Sequence, residues 1–227
     1  MKSLPKKYTL TSFVLLALAP LSIAGQSLSA DAFYGIAQKD LFDFKTGNKI
    51  DETDIYGVNF RFTQSTGRGV VLPGKQIIST EFFGALSLGT GSTDFSETVN
   101  GISEKVDAEI LTASLLGGAN ARFSVSEKFH LRGDVHLGVN FTSLTVEWSF
   151  EETGTPTEKY SVGNNAFGFV YGVGIGVEYE FDKNHAFAFG VDYLASTARP
   201  KINIAYESQK MERQAHVLLS VGYKYSF

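Results

Sequence analysis

The sequence predicts an all-β fold: a closed, antiparallel, eight-stranded transmembrane β-barrel that follows an N-terminal signal peptide. Three observations predict it. The chain of 227 residues is rich in aromatic residues that favour strands, with 19 Phe and 10 Tyr, and it contains 23 Gly. Apolar and polar residues alternate with a period of two through most of the chain after residue 31. Long polar connections alternate with short turns between these segments.

The first 24 residues are predicted to be a signal peptide. Three lysines precede an uncharged apolar run over residues 13–24, which is shorter than the roughly 20 residues that a transmembrane helix needs. Ser22 and Ala24 place small side chains before a cleavage site after Ala24, and a second candidate site follows Ala30. We therefore expect residues 1–24 to be removed on export and residues 31–227 to form a single barrel domain.

The C-terminal segment shows the alternation most clearly. Its residues Val221, Tyr223, Tyr225 and Phe227 fall on one face, while small and polar residues fall on the other. Since successive side chains of a strand point to opposite faces, such a segment has one apolar side and one small or polar side. Seven other segments follow this pattern, the first and third less regularly. The eight predicted strands are residues 32–44, 56–63, 78–88, 111–123, 130–141, 167–181, 185–193 and 216–227.

The connections between the predicted strands differ in length. Those at residues 124–128 and 182–184 are short and contain turn-forming residues, whereas residues 64–75 are long where a short turn is expected. In an antiparallel succession, alternating long and short connections put all the long loops at one end. This arrangement is typical of outer-membrane barrels, which have short periplasmic turns and longer extracellular loops. The long connections are predicted at residues 45–53, 90–107, 151–165 and 196–213.

The alternation alone leaves open which face is outside. A soluble barrel of the lipocalin kind would turn its apolar face inward and its polar face to water. The polar face here carries many glycines and few charges, which makes a poorly solvated surface but fits the crowded lumen of a narrow barrel. The other face carries too many bulky side chains for the interior of eight strands, and its aromatic residues lie toward the ends of the apolar runs. We therefore predict that the apolar face contacts lipid.

The same assignment directs the charged residues of the strands into the lumen. A desolvated lone charge is costly, so we expect charges of both signs to pair with each other. Such pairing predicts a plugged core rather than an open pore. The predicted lumen charge network comprises Arg61, Glu81, Arg122, Arg132, Asp134, Glu178, Glu180, Asp192 and Lys224.

Several parts of the chain resemble a known family. The signal peptide, the segment Phe33-Tyr-Gly-Ile-Ala37, the eight alternating segments and the terminal Val221-Gly-Tyr-Lys-Tyr-Ser-Phe227 resemble the small eight-stranded outer-membrane β-barrel proteins of Gram-negative bacteria. These include the OmpA transmembrane domain, OmpX and the opacity proteins. The resemblance implies that Tyr223, Tyr225 and Phe227 form the signal recognised by the outer-membrane insertion machinery. It also implies a location in the cell outer membrane, in contact with lipid and lipopolysaccharide.

No motif for catalysis, metal binding or cofactor binding stands out. Cysteine is absent, which excludes disulfides and thiol nucleophiles, and a net charge of −4 gives no support for nucleic-acid binding. His130 and His136 share a strand face but lie about 20 Å apart at roughly 3.3 Å per residue, too far for one metal ion. Some barrels of the resembled family are lipid A deacylases with a His-x-Ser-Asn run, and no histidine here begins such a run. We therefore predict no catalytic residue, no metal and no cofactor.

These observations lead us to expect a monomeric, non-enzymatic outer-membrane barrel that stabilises the envelope. Because four long connections lie at the outer end, we hypothesise that they display binding sites for host or environmental ligands. Two alternatives remain open at this point. A narrow channel for ions or small solutes would use the charged lumen, and an enzyme that modifies lipopolysaccharide would use serine and histidine side chains that face lipid.

Overall fold

Most of the chain forms β-strands. The computed structural model describes residues 25–38, 42–43, 49–50, 53–71, 77–99, 102–152, 157–204 and 207–227. In this part of the chain no α-helix has the length and apolar character needed to span a bilayer. The described strands are β1 Gln26–Ala37, β2 Phe42–Asp43, β3 Lys49–Ile50, β4 Ile55–Val71, β5 Ile77–Val99, β6 Ile102–Ser124, β7 Phe129–Glu152, β8 Glu158–Glu180, β9 His185–Ser196, β10 Lys201–Ile204, β11 Glu207–Lys210 and β12 Ala215–Ser226.

Eight of these strands close into one antiparallel barrel, which confirms the predicted fold class. The order around the ring is β1-β12-β9-β8-β7-β6-β5-β4, while β2–β3 and β10–β11 form two short hairpins of their own. The closing pair runs in one register from Ser27↔Ser226 to Ala37↔His216. In hydrocarbon each backbone N–H and C=O needs a partner within the protein, and a closed ring gives one to both sides of every strand.

Side chains of the barrel wall alternate between lipid and lumen. Along β9, every second residue from Ala186 to Asp192 is buried and the residues between them are exposed. The outward residues are large and apolar: Phe167 is 80% exposed, Leu137 72% and Ile175 69%. Soluble monomers rarely expose continuous apolar surface on this scale, because its transfer to water is unfavourable. The apolar face therefore contacts lipid, as the sequence predicts.

Strands β5 to β8 continue well beyond the length that a membrane requires, which corrects two of the predicted loops. They contain 23, 23, 24 and 23 residues, whereas β1, β9 and β12 contain 12 each. Residues 90–107, predicted as a long loop, mostly form a strand pair that runs in one register from Thr90↔Leu111 to Val99↔Ile102. Much of the predicted loop 151–165 is likewise strand, at the end of β7 and the start of β8.

The polarity of the two faces inverts in this extended part. On β6, Leu111 is exposed on the outer face and Ser114 is buried in the lumen, but one step further Ile110 is buried and Glu109 is exposed. Ile110 pairs with Leu144 of β7, which is also fully buried, so the inversion falls at one level across both strands. Above that level the outside is water, and the stable arrangement has polar residues outside and apolar residues inside. The alternation therefore persists there with the polarity of a soluble barrel.

The turns between β6 and β7 and between β8 and β9 are short, as predicted. The end of the barrel at which they lie is called the lower end. Asp182 Oδ1 accepts hydrogen bonds from the N–H groups of Asn184 at 2.9 Å and His185 at 3.0 Å. Ser126 Oγ accepts one from the Phe129 N–H at 3.0 Å. Side-chain oxygens that bind nearby backbone N–H groups are the usual reason that Asp and Ser favour such turns. Both turns lie at the same end as the two chain termini of the barrel.

Two strands extend beyond their predicted bounds at this lower end. The first strand begins at Gln26, whereas the sequence predicts a strand from residue 32 and a domain from residue 31. Strand β4 runs on to Val71, through an irregularity between Ser65 and Gly69, and so occupies much of the predicted connection 64–75. Most residues in these stretches are small or polar, so the alternation of hydrophobicity there is too weak to mark a strand.

The predicted cleavage residues Ser22 and Ala24 lie outside the described residues, whereas the alternative site after Ala30 lies within β1. Residues 26–30 of β1 pair with β4 on one side and, from residue 27, with β12 on the other. A cut after Ala30 would remove these residues and leave backbone N–H and C=O groups of two strands without partners.

We predict that the signal peptide is cleaved after Ala24, so that the mature chain begins at Gly25 and keeps all of β1. N-terminal sequencing of the protein purified from membranes checks this. Ala24→Leu should leave the precursor uncut, because a small residue is needed before the cut, whereas the matched Ala30→Leu should be processed like the wild type. A mature chain that begins at Asp31 would contradict the prediction.

The inversion level predicts where the outer face of β7 tolerates a charge. Leu137→Arg places a cation against hydrocarbon and should lower the free energy of unfolding by about 2–4 kcal/mol. Glu147→Arg, on the same face but above the inversion, should not lower it, because the arginine replaces a like-charge pair with Asp107 by an opposite-charge pair. Urea unfolding in lipid vesicles, followed by circular dichroism, measures both. Equal losses for the two variants would show that the inversion does not mark the membrane boundary.

Candidate functional site

The lower half of the lumen contains a network of ion pairs centred on Glu178 of β8. Its carboxylate lies 3.0 Å from Lys224 Nζ, 3.1 Å from Arg122 Nε and 3.6 Å from Arg132 Nη1. Lys224 belongs to β12, Arg122 to β6 and Arg132 to β7. Each lies on the face of its strand that points into the lumen. One buried carboxylate thus links four strands of the barrel.

Asp134 of β7 is the second centre of the network. Its Oδ2 lies 3.3 Å from Arg61 Nη1 and 3.2 Å from Arg132 Nε, and its Oδ1 lies 3.1 Å from His136 Nδ1. Because Arg132 contacts both Asp134 and Glu178, the two centres form one continuous network.

Seven of the nine residues predicted for the lumen charge network are joined by ion pairs. The outermost pairs involve Glu180, which binds Arg122 and lies 3.4 Å from Nε2 of His130. Opposite charges in a desolvated lumen attract strongly, and the loss of one partner leaves the other uncompensated. The seven joined residues are Arg61, Arg122, Arg132, Asp134, Glu178, Glu180 and Lys224.

The other two predicted residues, Glu81 and Asp192, are also buried in the lumen, but with the described residues they form no ion pair. A further lumen carboxylate, Asp31 of β1, was not predicted. It is 8% exposed and accepts a hydrogen bond from Asn59 Nδ2 at 3.4 Å. Its spacing of two residues from the lumen-facing Phe33 is the sequence signal that would have located it.

Above the ion pairs, polar side chains around Asn140 cross the lumen. Asn140 Nδ2 donates to Ser114 Oγ at 2.9 Å, and its Oδ1 accepts from Thr142 Oγ1 at 2.7 Å and Ser196 Oγ at 3.0 Å. A cavity of about 30 Å³ lies beside them, which is the space of about one water molecule. This level of the lumen is therefore occupied by side chains and leaves no wide passage.

An apolar core closes the extracellular end of the lumen. The connection between β9 and β12, predicted as a long loop at residues 196–213, turns inward and places Ile202 and Met211 against the wall. Both are 1% exposed, and they pack with Leu144 and Val146 of β7, which are fully buried. The described lumen is thus filled from its ion pairs to its mouth. The remaining members of this core are Val106, Ala108, Ile110 and Trp148.

Aromatic residues border the apolar outer wall at both ends. Near the loop end, Tyr34 and Tyr56 are direct cross-strand partners and both are exposed. Near the turn end, the predicted insertion signal, Tyr223, Tyr225 and Phe227, lies on the exposed face of β12, and the rings of Tyr225 and Phe227 are 5.0 Å apart. Two such aromatic girdles mark the two interfaces of an outer-membrane barrel.

Tyr34 also fixes the segment that enters β4. Its hydroxyl donates to Asp54 Oδ2, and the Ala37 N–H donates to Asp54 Oδ1 at 2.9 Å. These hydrogen bonds lower the pKa of Asp54, because they favour the ionised carboxylate. The charged side chain of Asp54 therefore attaches the end of the first loop to the rim of the barrel.

The outer face of the projecting part of β5 to β8 carries like charges side by side. The register places Asp94 opposite Asp107, and Asp107 opposite Glu147. Like charges directly opposite each other destabilise a sheet, so folding alone does not favour this row. Lys105 lies 2.9 Å from Asp107, whose hydrogen bond and charge raise the pKa of Lys105.

The projecting sheet also has an edge. Strand β4 pairs with β5 only as far as Tyr56↔Thr90. Residues 91–99 of β5 therefore have β6 as their one paired strand among the described residues. Strand β3 also contacts β5, and the Asp54 carbonyl oxygen lies beside Gly91, so part of this second side is covered within the protein. The backbone N–H and C=O groups beyond that part are of the kind that pair with an added strand.

Comparisons with known proteins give structural neighbours but no relatives by sequence. No family model and no curated protein matches the chain. Among solved structures it is similar to Ail, the attachment invasion locus protein of Yersinia pestis (16% identity, 90% of this chain and 100% of that one, TM-score 0.46), and to Neisserial surface protein A (15%, 90% and 98%, TM-score 0.43). It is also similar to the outer membrane protein OprG from Pseudomonas aeruginosa (17%, 90% and 97%, TM-score 0.45). These likenesses assign no ligand to this chain.

The architecture of the chain itself locates it. A closed antiparallel ring, an outward apolar belt and two aromatic girdles are the features of a barrel that spans the outer membrane of a Gram-negative bacterium. Short turns lie at the periplasmic end and the projecting sheet lies outside the cell. The chain is thus a small outer-membrane β-barrel.

The ion-pair network predicts a large loss of stability when its central acceptor is neutralised. Glu178→Gln leaves Lys224, Arg122 and Arg132 without their shared carboxylate and should lower the free energy of unfolding by about 3–5 kcal/mol. The matched Glu158→Gln removes an exposed carboxylate from the same strand and should cost less than about 0.5 kcal/mol. Urea unfolding in detergent micelles checks both values, and a loss for Glu178→Gln no larger than the control would contradict the role of the network.

Proposed function

We propose that this protein is a monomeric, non-enzymatic outer-membrane barrel that carries a rigid β-sheet beyond the membrane and binds host or environmental ligands with it. The observation that carries the proposal is the length of β5 to β8, which is about twice that of β1, β9 and β12. The inverted polarity of the extra length supports a position in water rather than in lipid.

Strand geometry converts these lengths into heights. At about 3.3 Å per residue and a tilt of about 45°, a strand of 12 residues advances about 28 Å along the barrel axis, close to the apolar band of about 25 Å. A strand of 23 residues advances about 54 Å. The sheet of β5 to β8 therefore extends about 25 Å past the membrane, where large ligands can reach it.

The chemistry of the projecting sheet supports binding of a protein segment. The second side of residues 91–99 forms a ladder with no described strand, and its uncovered part offers backbone groups for strand addition, a recognition mode in which main-chain hydrogen bonds give affinity. The row of Asp94, Asp107 and Glu147 beside it favours a partner with basic side chains. The apolar core beneath keeps the sheet in shape without a ligand, which lowers the entropic cost of binding.

The closed lumen argues against a channel as the main role. Ion pairs, the polar belt around Asn140 and the apolar core at the mouth lie in series along the axis, and the cavity beside Asn140 has the volume of about one water molecule. The histidines give little support to a lipopolysaccharide-modifying enzyme. His130, His136 and His216 are buried in the lumen, and His185 binds the Tyr223 hydroxyl at the periplasmic rim.

The apolar belt and the exposed rings at the end of β12 indicate which partners contact the barrel. Lipid and lipopolysaccharide surround the apolar belt, and we assign recognition by the insertion machinery to Tyr223, Tyr225 and Phe227, because β12 presents all three rings to the outside. No cofactor, metal or nucleic acid is needed for the proposed binding role.

The proposal predicts that shortening the sheet removes binding and leaves the barrel intact. Because Ser92 pairs with Glu109, and Thr145 with Gly163, replacing residues 93–108 and 146–162 by two-residue Asn-Gly turns trims both hairpins in register. Cells that express the trimmed protein should lose adhesion to immobilised extracellular-matrix proteins and to host cells. Heat-modifiable migration on SDS gels should show that the trimmed barrel still folds.

A triple substitution, Asp94→Asn, Asp107→Asn and Glu147→Gln, serves as the matched control for charge. It keeps the sheet and should weaken adhesion to a basic ligand without abolishing strand addition. Adhesion that is the same for wild-type, trimmed and vector-only cells would overturn the proposal. Ion conductance in planar bilayers, or an altered lipid A mass in overexpressing cells, would instead favour the channel or the enzyme.

A further inference from the structure

A second cavity lies lower in the lumen, beside the ion pairs, and its lining combines polar and charged side chains with Phe33 and three leucines. Its volume is about 30 Å³, the space of one water molecule or one metal ion. The polar and charged residues that matter most around it are Asp31, Asn59, Arg61, Arg132, His136 and Asp192.

Three electron-pair donors around this cavity have no hydrogen-bond partner among the described residues. They are His136 Nε2, Asp192 Oδ1 and Asn59 Oδ1, and all three atoms are inaccessible to solvent. His136 is 6% exposed and Asp192 8% exposed. A buried acceptor without a partner costs free energy, so three of them beside one cavity favour a ligand there that accepts electron pairs. Two N–H donors of the same lining, Arg61 Nε and Arg132 Nε, also have no hydrogen-bond partner among the described residues, and Arg132 Nε instead lies 3.2 Å from Asp134 Oδ2 as an ion pair.

The hydrogen bond to Asp134 determines which nitrogen of His136 is available. His136 Nδ1 lies 3.1 Å from Asp134 Oδ1, and a carboxylate that also binds two arginines is ionised and can only accept. Nδ1 therefore donates to Asp134, and Nε2 is the nitrogen left for a ligand; in the neutral ring of this tautomer Nε2 has the lone pair. A histidine held by a carboxylate through one nitrogen, with the other nitrogen free, is the usual arrangement of a metal ligand.

Distances and packing bring the donor groups together. One donor atom each from Asp134, His136 and Asp192 lie within 4.8 Å of one another. A Cβ on Gly172 would lie 2.3 Å from His136 Nε2, and a Cβ on Gly174 would lie 2.0 Å from Asp192 Oδ1, so both side chains occupy space that only glycine leaves. Two ligands of one Zn²⁺ stand at most about 4.2 Å apart, so a bound ion requires these side chains to rotate toward one another.

The charges of the lumen also favour a bound cation. Arg61 and Arg132 neutralise Asp134, but Asp192 has no ion-pair partner in the described part of the chain. Across the network as a whole, carboxylates outnumber cations by two, and an uncompensated buried charge is costly. The six carboxylates are Asp31, Glu81, Asp134, Glu178, Glu180 and Asp192, and the four cations are Arg61, Arg122, Arg132 and Lys224.

We propose that this cavity binds one divalent transition-metal ion, with His136 Nε2 and Asp192 Oδ1 as protein ligands, Asn59 Oδ1 within reach and Asp134 as the residue that positions His136. An imidazole with carboxylate and amide oxygens suits Zn²⁺ or Mn²⁺, whereas Ca²⁺ and Mg²⁺ prefer oxygen ligands alone. The ion would cross-link β7 to β9 inside the barrel. This site is independent of the proposed binding function of the projecting sheet.

The test measures zinc in the mature chain refolded from urea into detergent micelles with Zn²⁺ and then desalted. Elemental analysis should find one zinc per wild-type chain, and Zn²⁺ should raise the midpoint of thermal unfolding. His136→Gln and Asp192→Asn should each abolish both effects. Refolding with Co²⁺ should give the visible absorption of a cobalt ion with a nitrogen ligand, which depends on His136.

Glu81→Gln is the matched control, since it removes a buried lumen carboxylate that does not line the cavity. It should bind zinc like the wild type, and heat-modifiable migration should confirm that every variant is folded. The absence of zinc from the folded wild type, equal binding of Ca²⁺, or loss of zinc in Glu81→Gln to the same extent as in Asp192→Asn would overturn the proposal. None of these outcomes depends on adhesion, so the two proposals fail separately.

Discussion

The absence of water in the membrane is the constraint on which the rest of the structure depends. Backbone N–H and C=O groups in hydrocarbon have no solvent partner, so each strand must pair on both sides and the sheet must close. The closing pair of β1 and β12 meets this requirement over its whole length, from Ser27↔Ser226 to Ala37↔His216. A single unpaired edge at this depth would expose a row of polar groups to lipid.

Closure with eight strands then determines the interior. A ring of this size has room for side chains but not for a wide passage, so the lumen holds small residues and a limited number of large polar ones. Charges are tolerated there because Glu178 binds cations from three other strands, and Asp134 binds Arg61 of β4 and Arg132 of its own strand. These contacts cross-link strands that are distant in sequence, and they replace the apolar core that a soluble domain of this size would have.

Beyond the membrane the same strands obey the opposite rule. Once the outside is water, the outer face becomes polar and the inner face becomes apolar, as Glu109 and Ile110 show at the boundary on β6. The protein thus has two interiors, one of ion pairs in the membrane and one of apolar side chains outside the cell. The second interior both closes the lumen and keeps β5 to β8 in a regular sheet.

The sequence by itself determined the fold class, the lipid-facing side of most strands and seven residues of the lumen ion-pair network. These follow from the period of two and from the bulk of the apolar face, which are local properties. Tertiary structure decided the rest. Whether Arg132 bridges Asp134 and Glu178, and why Asp192 of β9 lies close to Asp134 and His136 of β7, depends on the register of the closed ring, which no single strand encodes. The length of β5 to β8 was hidden for a similar reason: the environment outside each residue changes from lipid to water along the strand, and only the assembled barrel shows where.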